Sequence, residues 1–235
     1  NPYSLTGLSA NTAYDFYVKA DCGFATGSSD LSDWAGPFSF TTACLSVSTF
    51  PYLESFETIT TGQPDCWSIE GTSSASYHFS SYSSGQTGRG MRFDSYFNST
   101  GNTSELITPV MDASALTTLE LAFQFKNPSG GDFEILISND GGSTFTSLES
   151  GLTGQSSWTL KNYDLTSYIS NSMKVKFKGT SNYGSGDANI YLDEVLVREI
   201  PNCLEPTALA ASNVTATTAD FTWTAGGTET AWNFE

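Results

Sequence analysis

The chain has 235 residues, of which 14% are charged, and its 25 Asp and Glu against 9 Lys and Arg give a net charge of −16. This charge argues against nucleic acid as a partner, because one polyanion repels another. No stretch contains the ~20 consecutive apolar residues of a spanning helix, so we expect no membrane insertion. Short segments in which apolar and polar residues alternate, separated by turns rich in Ser, Thr and Gly, predict an all-β protein.

Cysteine usage is the second compositional signal. The four Cys, at positions 22, 44, 66 and 203, include no Cys-x-x-Cys pair, and a single His, His78, accompanies them. This argues against a zinc site, whose Cys and His ligands are usually closely spaced. Single Cys near the edges of elements fit disulfides formed in an oxidising compartment, so we expect an extracellular or cell-surface protein.

Residues 1–43 have the pattern of the last strands of a small sandwich module. Tyr14, Phe16 and Val18 alternate along one strand, and Phe38 and Phe40 share one face of another. We do not expect this segment to bury a sheet face by itself, and a linker of about four to eight residues follows it.

Residues 44–200 carry most of the strand signal. Period-2 alternation recurs in many short segments, among them GMRFD, LELAFQFK, DFEILIS, KVKFKG and IYLDEVLVRE. No helix of ordinary length competes with them, and strands do not alternate with helices. The segments predict a two-sheet sandwich of jelly-roll type.

Residues 201–235 follow a boundary rich in Pro, Asn and Glu. Ala219, Phe221 and Trp223 alternate along one predicted strand, and a second short strand is predicted near Trp232. Placed before residues 1–43, this segment supplies strands in the order of one module, with a short middle stretch missing. We therefore expect the jelly roll to be flanked by partial immunoglobulin-like β-sandwich modules.

The central region resembles a MAM domain in its bacterial form, related to the cleaved-adhesin domains of secreted Bacteroidetes proteins. The matching segments span nearly the whole of residues 51–199 and include ESFE at 54–57, DCW at 65–67, ELITPVMDASAL at 105–116, LELAFQFK at 119–126, ISNDGGSTF at 137–145 and IYLDEV at 190–195. The two ends resemble fibronectin type III modules of the same secreted proteins. The resemblance implies export by type IX secretion.

The resemblance also implies two disulfides. Cys44 is expected to pair with Cys66, because in MAM domains a Cys before the Phe-Glu pairs with one before a Trp. Cys22 is expected to pair with Cys203 or its equivalent, either within a reassembled fibronectin type III module or with segments outside this sequence.

Carboxylates near the two ends of the sandwich predict a calcium site. Glu54 and Glu57 lie at its start, Asp193 and Glu194 lie in its last strand, and the first and last strands of a jelly roll are commonly neighbours. Oxygen ligands from several chain positions suit Ca²⁺. The resemblance points first to Glu57 and Asp193, with Glu54 and Asp94 as further candidates. Such a metal would stabilise the fold; ordinary solvated carboxylates are the alternative.

Aromatic residues between positions 77 and 97 predict a ligand surface. The rings in this Ser-rich stretch with many turn residues are Tyr77, Phe79, Tyr82, Tyr96 and Phe97, and Trp158 and Tyr183 add ring surface later in the chain. Exposed rings can stack on the faces of sugars, and Tyr77, Tyr82 and Tyr96 are the chief candidates. Rings at alternating positions are more often part of a core, and that alternative stays open.

Catalysis has little support in the sequence. A Ser-His-Asp or Cys-His site would have to use His78, whose neighbours include no nucleophile elbow. A jelly-roll glucanase often carries a Glu-x-Asp-x-x-Glu strand, and Glu134 is a lone strand carboxylate instead. Residues 138–145 match the Asp-box of sialidases, but one copy is expected to form only a hairpin turn. We therefore expect the protein not to be an enzyme.

These features predict a non-catalytic segment of a large secreted or cell-surface adhesin that acts in adhesion or as a structural spacer. Its partners would be a cell-surface glycan, a protein ligand or neighbouring copies of the same chain. The alternative is an accessory carbohydrate-binding module of a secreted glycosidase or peptidase.

Overall fold

The structure of the chain, a computed structural model, describes residues 3–22, 30–74, 77–129, 131–185, 189–201, 205–227 and 229–233. It has 44% of its residues in strands and 3% in helix, so the all-β prediction is confirmed. Within these ranges no helix combines the length and the apolar character needed to cross a membrane. The chain divides into two compact units, Asn1–Arg198 and Glu199–Glu235.

The strands of the first unit belong to one hairpin and two larger sheets, and those of the second unit form another hairpin. In chain order they are β1 (Ala13–Val18), β2 (Ala35–Thr41), β3 (Tyr52–Glu54), β4 (Ser68–Glu70), β5 (Ser80–Tyr82), β6 (Gly90–Asp94), β7 (Thr103–Ile107), β8 (Glu120–Asn127), β9 (Asp132–Ser138), β10 (Thr146–Glu149), β11 (Gln155–Asp164), β12 (Lys174–Thr180), β13 (Asn189–Arg198), β14 (Thr207–Ser212) and β15 (Asp220–Thr224).

Two antiparallel sheets form the central sandwich. One has the strand order β10-β9-β12-β7-β4, and the other has the order β11-β8-β13-β6-β5, with β3 also paired to β13. Buried rings from both sheets meet between them: Phe123 on β8 lies 5.2 Å from Phe177 on β12, and Phe125 on β8 lies 5.9 Å from Phe133 on β9. A fully buried Phe contributes about 1.5–3 kcal/mol, so these rings stabilise the packing of one sheet on the other.

Alternation along β12 shows how the sequence specifies the core. In KVKFKGT each Lys faces outward, while Val175 and Phe177 are buried. Gly179 takes the next inward position, where a Cβ atom would lie 2.8 Å from Cδ1 of Phe93. The ring of Phe93 therefore fills the space that a larger residue at position 179 would need.

A β-bulge interrupts β13 at Asp193 and Glu194. The register of β13 against β8 shifts between Asp193 and Leu196, and Glu194 has a φ of 51°. Such a bulge places two residues opposite one on the partner strand. Regular alternation would point two successive carboxylates to opposite faces of the sheet, whereas the bulge lets both approach the same neighbouring turn.

The two hairpins carry exposed rings. In the β1–β2 hairpin, the ring of Phe16 lies 5.2 Å from that of Phe38, and both side chains are exposed. In the β14–β15 hairpin, Phe221 is exposed, and the ring of Trp223 lies 5.6 Å from that of Trp232. The assignment of these hairpins to fibronectin type III modules stays a prediction.

A disulfide joins Cys44 to Cys66, with the two Cα atoms 5.9 Å apart. It ties the segment before β3 to the residue that precedes the buried Trp67, and it is the first of the two pairings that the resemblance implies. Cys22 is exposed and in no disulfide. Its expected partner, Cys203, lies outside the described residues, so that pairing stays a prediction.

Candidate functional site

The turn that joins β5 to β6, residues 85–89, is held by the two carboxylates of the β13 bulge. Oδ2 of Asp193 accepts hydrogen bonds from the backbone N–H of Gln86 at 2.7 Å and of Thr87 at 3.3 Å. Oγ1 of Thr87 donates to Oε1 of Glu194 at 2.5 Å. Residues more than a hundred positions apart are thereby joined at one turn.

Glu57 contacts the same turn from the start of the sandwich. Its Oε2 accepts a hydrogen bond from the backbone N–H of Arg89 at 3.1 Å. A Cβ atom at Gly88 would collide with the carboxylate of Glu57, and one at Gly85 would lie 2.5 Å from Oδ2 of Asp193. Glycine at these two positions therefore allows both carboxylates to approach the backbone of the turn.

The electrostatics of this turn are set by the burial of Asp193. Its side chain is fully buried, and burial raises the pKa of Asp193 to about 6. Among the described residues, no ion pair involves Asp193, Glu57 or Glu194. Backbone N–H donors offset part of the cost of burying the Asp193 carboxylate, and a cation at the turn would offset more of it.

The other two predicted ligands are turned to other partners. Oε1 of Glu54 accepts a hydrogen bond from the backbone N–H of Phe56 at 2.7 Å, and burial raises the pKa of Glu54. Asp94 forms an ion pair with Arg92 at 3.3 Å. It lies at the far end of β6, about 13 Å along the strand from the turn. The structure thus brings Glu57 and Asp193 together, and it does not bring Glu54 or Asp94 to them.

The oxygen atoms at the turn can be compared with the ligands that a metal ion requires. In the part of the chain that the structure describes, no group of three or more His, Cys, Asp and Glu side chains could hold a metal. Glu57 and Asp193 supply carboxylate oxygens, and the rest of a calcium shell of about six to eight ligands would come from backbone carbonyls and water. Both oxygens of the Asp193 carboxylate accept backbone hydrogen bonds, Oδ2 from Gln86 and Thr87 and Oδ1 from Glu194 at 2.8 Å, so a metal would have to share them with these N–H groups.

Four exposed rings form a second candidate site, the aromatic cluster, which consists of Tyr77, Tyr96, Phe97 and Tyr183. The rings of Tyr77 and Phe97 are stacked 5.1 Å apart, and Tyr96 meets Phe97 edge-on at 5.0 Å and Tyr183 at 5.9 Å. Their side chains are between 41% and 57% exposed. Contiguous exposed apolar surface of this kind marks interaction sites.

Hydrogen bonds from side chains to backbone carbonyls hold the segments of the aromatic cluster in place. The buried side chain of Asn98 donates to the carbonyls of Tyr77 and Asp94, both at 3.0 Å. Oγ1 of Thr100 donates to the carbonyl of Tyr183 at 2.6 Å. These hydrogen bonds position the segments without involving the rings, so the ring faces remain available for binding.

Tyr82, which is near Tyr77 and Tyr96 in the sequence, lies elsewhere. It is the last residue of β5, on the outer face of the six-stranded sheet, and its ring lies 5.4 Å from that of Tyr191 on β13. The structure thus places the three predicted tyrosines on two different surfaces. Phe97 and Tyr183 complete the aromatic cluster, whereas Phe79 is buried in the core.

The segments considered for catalysis have structural roles. Nδ1 of His78 lies 3.2 Å from Oγ of Ser104, and burial lowers the pKa of His78. Asp140 accepts hydrogen bonds from the backbone N–H and Oγ1 of Thr144 and from Oγ of Ser138, and these bonds lower its pKa. The Asp-box segment lies between β9 and β10, which form an antiparallel pair, so the prediction of a hairpin turn is confirmed.

Comparison with known proteins relates the chain to an adhesin fold. No protein-family model matches the chain, and no curated protein matches it. Among solved structures it is similar to the K1 cleaved adhesin domain of Lys-gingipain from Porphyromonas gingivalis, with 19% identity and a TM-score of 0.51 over 65% of this chain and 100% of that one. The K3 domain of the same protein gives 16% identity and a TM-score of 0.50 over 63% and 96% of the two chains.

The K2 cleaved adhesin domain of Lys-gingipain is similar to the same extent, with 18% identity and a TM-score of 0.50 over 64% of this chain and 99% of that one. At these identities the likeness shows the fold alone. The chain therefore contains a β-sandwich of the cleaved-adhesin type, as the resemblance of residues 51–199 implies. The comparisons give no support to the relation to MAM domains or to fibronectin type III modules.

Proposed function

We propose that residues 44–200 form a non-catalytic adhesion module of a secreted or cell-surface protein, which binds its partner through the aromatic cluster. One observation carries this proposal: Tyr77, Tyr96, Phe97 and Tyr183 come from separate segments, meet in space and remain exposed. Burying these rings would be favourable, so their exposure favours a surface that is covered on binding. The Cys44–Cys66 disulfide supports an extracellular location.

The partner is a cell-surface glycan, a protein ligand or a neighbouring copy of the chain. Tyr side chains are enriched among the residues that dominate binding energy, because they offer a large apolar ring and a hydroxyl for hydrogen bonding. The net charge of −16 keeps free copies apart in solution, so contact between copies would require the rings to exclude water from their interface.

The test uses the whole chain and three variants, Tyr96→Ala, Phe97→Ala and the control Trp34→Ala. Trp34 is 62% exposed and lies outside the aromatic cluster. Binding is measured on a glycan array and on immobilised host-cell membrane proteins, and self-association is measured by sedimentation. Each cluster variant should weaken the binding found by about tenfold, the effect of losing an interface hot spot. Absence of all three kinds of binding, or equal loss in Trp34→Ala, would overturn the proposal.

An accessory carbohydrate-binding module is the second candidate. The observation that favours it is the chemistry of the aromatic cluster, in which Tyr77, Tyr96 and Tyr183 each pair a ring face with a hydroxyl, the two features that a sugar can use. This function predicts signals on the glycan array alone, lost in Tyr77→Ala, with no binding to membrane proteins stripped of glycans and no self-association.

We also propose that Ca²⁺ binds at turn 85–89 and stabilises the fold. The support is the meeting of Glu57 and Asp193 at one turn and the burial of Asp193 without a cation paired to it among the described residues. A metal there would have a structural role, because it would join the start of the sandwich, the turn and the last strand.

The flanking hairpins are proposed to belong to fibronectin type III modules that act as spacers. The exposed rings of Phe16 and Phe38 in β1–β2, and of Phe221 in β14–β15, support this, since rings on one face of a hairpin become core when further strands cover them. An expressed chain extended to complete either module should protect these Phe rings from solvent, which the chemical shifts of their ring protons in NMR spectra would report.

A further inference from the structure

A line of alternating rings and cations crosses the outer face of the six-stranded sheet. We call it the ring–cation row, and it contains one residue from each of five adjacent strands: Trp158 on β11, Lys126 on β8, Tyr191 on β13, Arg92 on β6 and Tyr82 on β5. Tyr191 is in register with Lys126 on one side and with Arg92 on the other. With strands about 4.8 Å apart, the row is about 19 Å long.

The members of the ring–cation row are in contact with one another. Nζ of Lys126 lies 4.4 Å from the ring centroid of Tyr191 and 5.5 Å from that of Trp158. The guanidinium of Arg92 lies 4.7 Å from the ring centroid of Tyr82, and the rings of Tyr82 and Tyr191 are 5.4 Å apart. All five side chains are half-buried, so the row is ordered by its own contacts and still reaches solvent.

The outer face of the five-stranded sheet differs from this face in how its Lys side chains are paired with carboxylates. There Lys176 pairs with Glu105 at 2.5 Å and Lys178 pairs with Glu134 at 3.1 Å, so two of the three outward-facing Lys side chains of β12 are neutralised. Within the described residues, Lys126 lies in ion-pair distance of no carboxylate. The charge of Lys126 is therefore available to a ligand.

We propose that the ring–cation row binds an acidic glycan, whose sugar faces stack on Trp158 and Tyr191 while its carboxylates bind Lys126 and Arg92. This deepens the proposed function by naming a ligand class and a second surface. Aromatic rings and cations alternate along the row. An acidic oligosaccharide offers a partner for each, because its apolar C–H faces can stack on the rings and its carboxylates can pair with the cations. Arg92 also forms a half-buried ion pair with Asp94 at 3.3 Å, and its guanidinium has further N–H donors that a ligand carboxylate can use.

Two other classes of ligand fit the row less well. An extended peptide binds at the edge of a sheet, where backbone groups are free, whereas the row lies on a face whose backbone is paired within the sheet. A nucleic acid carries a dense line of charge that a protein of net charge −16 repels. An acidic oligosaccharide carries fewer charges, and salt screens the distant carboxylates of the protein beyond about 8 Å.

The experiment measures binding of the whole chain, by calorimetry or ligand-observed NMR, to trigalacturonate, a hyaluronan oligosaccharide and sialyllactose. Each acid is compared with its methyl ester, which keeps the sugar rings and removes the charge. At least one acid should bind about tenfold more tightly than its ester, the effect of one charge-assisted contact. Trp158→Ala and Lys126→Met should each weaken that binding by about tenfold or more, and added salt should reduce the difference between acid and ester.

The matched control is Lys178→Met, which removes a cation from the outer face of the other sheet and should leave binding unchanged. The inference is overturned if no acid binds at millimolar concentration, if acid and ester bind equally, or if Lys126→Met binds like the unaltered chain. It is also overturned if polyglutamate competes as well as the glycan, since the row would then recognise acidic peptides. Loss of acid binding in Tyr96→Ala but not in Trp158→Ala would place the ligand on the aromatic cluster, so that the proposed function stands and the ring–cation row does not.

Discussion

The Cys44–Cys66 disulfide offers a direct test of what stabilises the sandwich. It closes a loop with a sequence separation of 22, which contains β3 and the acidic residues Glu54 and Glu57. Without the bond the unfolded chain gains the freedom of that loop, and the loop-closure relation gives a loss of stability of about 3 kcal/mol for this length. We therefore expect the double variant Cys44→Ala, Cys66→Ala to lose about 3 kcal/mol.

Urea denaturation followed by tryptophan fluorescence measures this loss. With a slope of about 3 kcal/mol per molar urea, the midpoint should fall by about 1 M. Ser46→Ala is the matched control, because Ser46 is exposed and lies two residues from Cys44, and its midpoint should not change. A loss below about 1 kcal/mol in the double variant, or an equal loss in the control, would refute the argument from loop closure.

Three further outcomes follow from the structure. Gly179→Ala should lower stability by about 1–3 kcal/mol in thermal melting, because its Cβ would lie 2.8 Å from Phe93 in a packed core. If Ca²⁺ binds at turn 85–89, a concentration of about 100 Kd should stabilise the chain by about 2.7 kcal/mol, and chelator or Asp193→Asn should abolish this gain. The hydrogen bond from Lys161 lowers the pKa of Glu149 below its ordinary value of 4.5. The ionised Glu149 therefore stabilises the fold above pH 4.5, and this stabilisation is lost as the pH falls through the lowered pKa. Lys161→Met should flatten this acid-side loss in a series of melts.

Sequence patterns predicted the long strands better than the short ones. The segments of β8, β9, β12 and β13 alternate over 7 to 10 residues, enough to define a period of two. β3 and β4 have 3 residues each, and so short a segment shows no period. These strands exist because neighbours in space, β13 and β7, offer them backbone partners, and such neighbours lie far away in the sequence.

The candidate sites were predicted in part for the same reason. The position of Glu57 and Asp193 near the two ends of a jelly roll was enough to suggest that they meet. The turn between them was not foreseen, because it contributes backbone N–H groups and two close approaches at glycine, none of which depends on a recognisable side chain. Likewise, Tyr82 and Tyr96 are near in sequence, but one ends a strand on a sheet face and the other lies in a 3-10 turn.

Turn 85–89 and the ring–cation row depend on the same stretch of chain. Turn 85–89 joins β5 to β6 and therefore helps to position Tyr82, the last member of the row, whereas Arg92 is positioned by the pairing of β6 with β13. β5 has 3 residues, too few pairings to fix its place alone, so the bonds from Asp193 to the turn add the missing constraint. Asp193 is itself two residues from Tyr191 on β13. At the β13 bulge the two carboxylates contact the turn, while the preceding residues of β13 keep regular register with β6. One strand can therefore provide both a stabilising contact and part of a binding face.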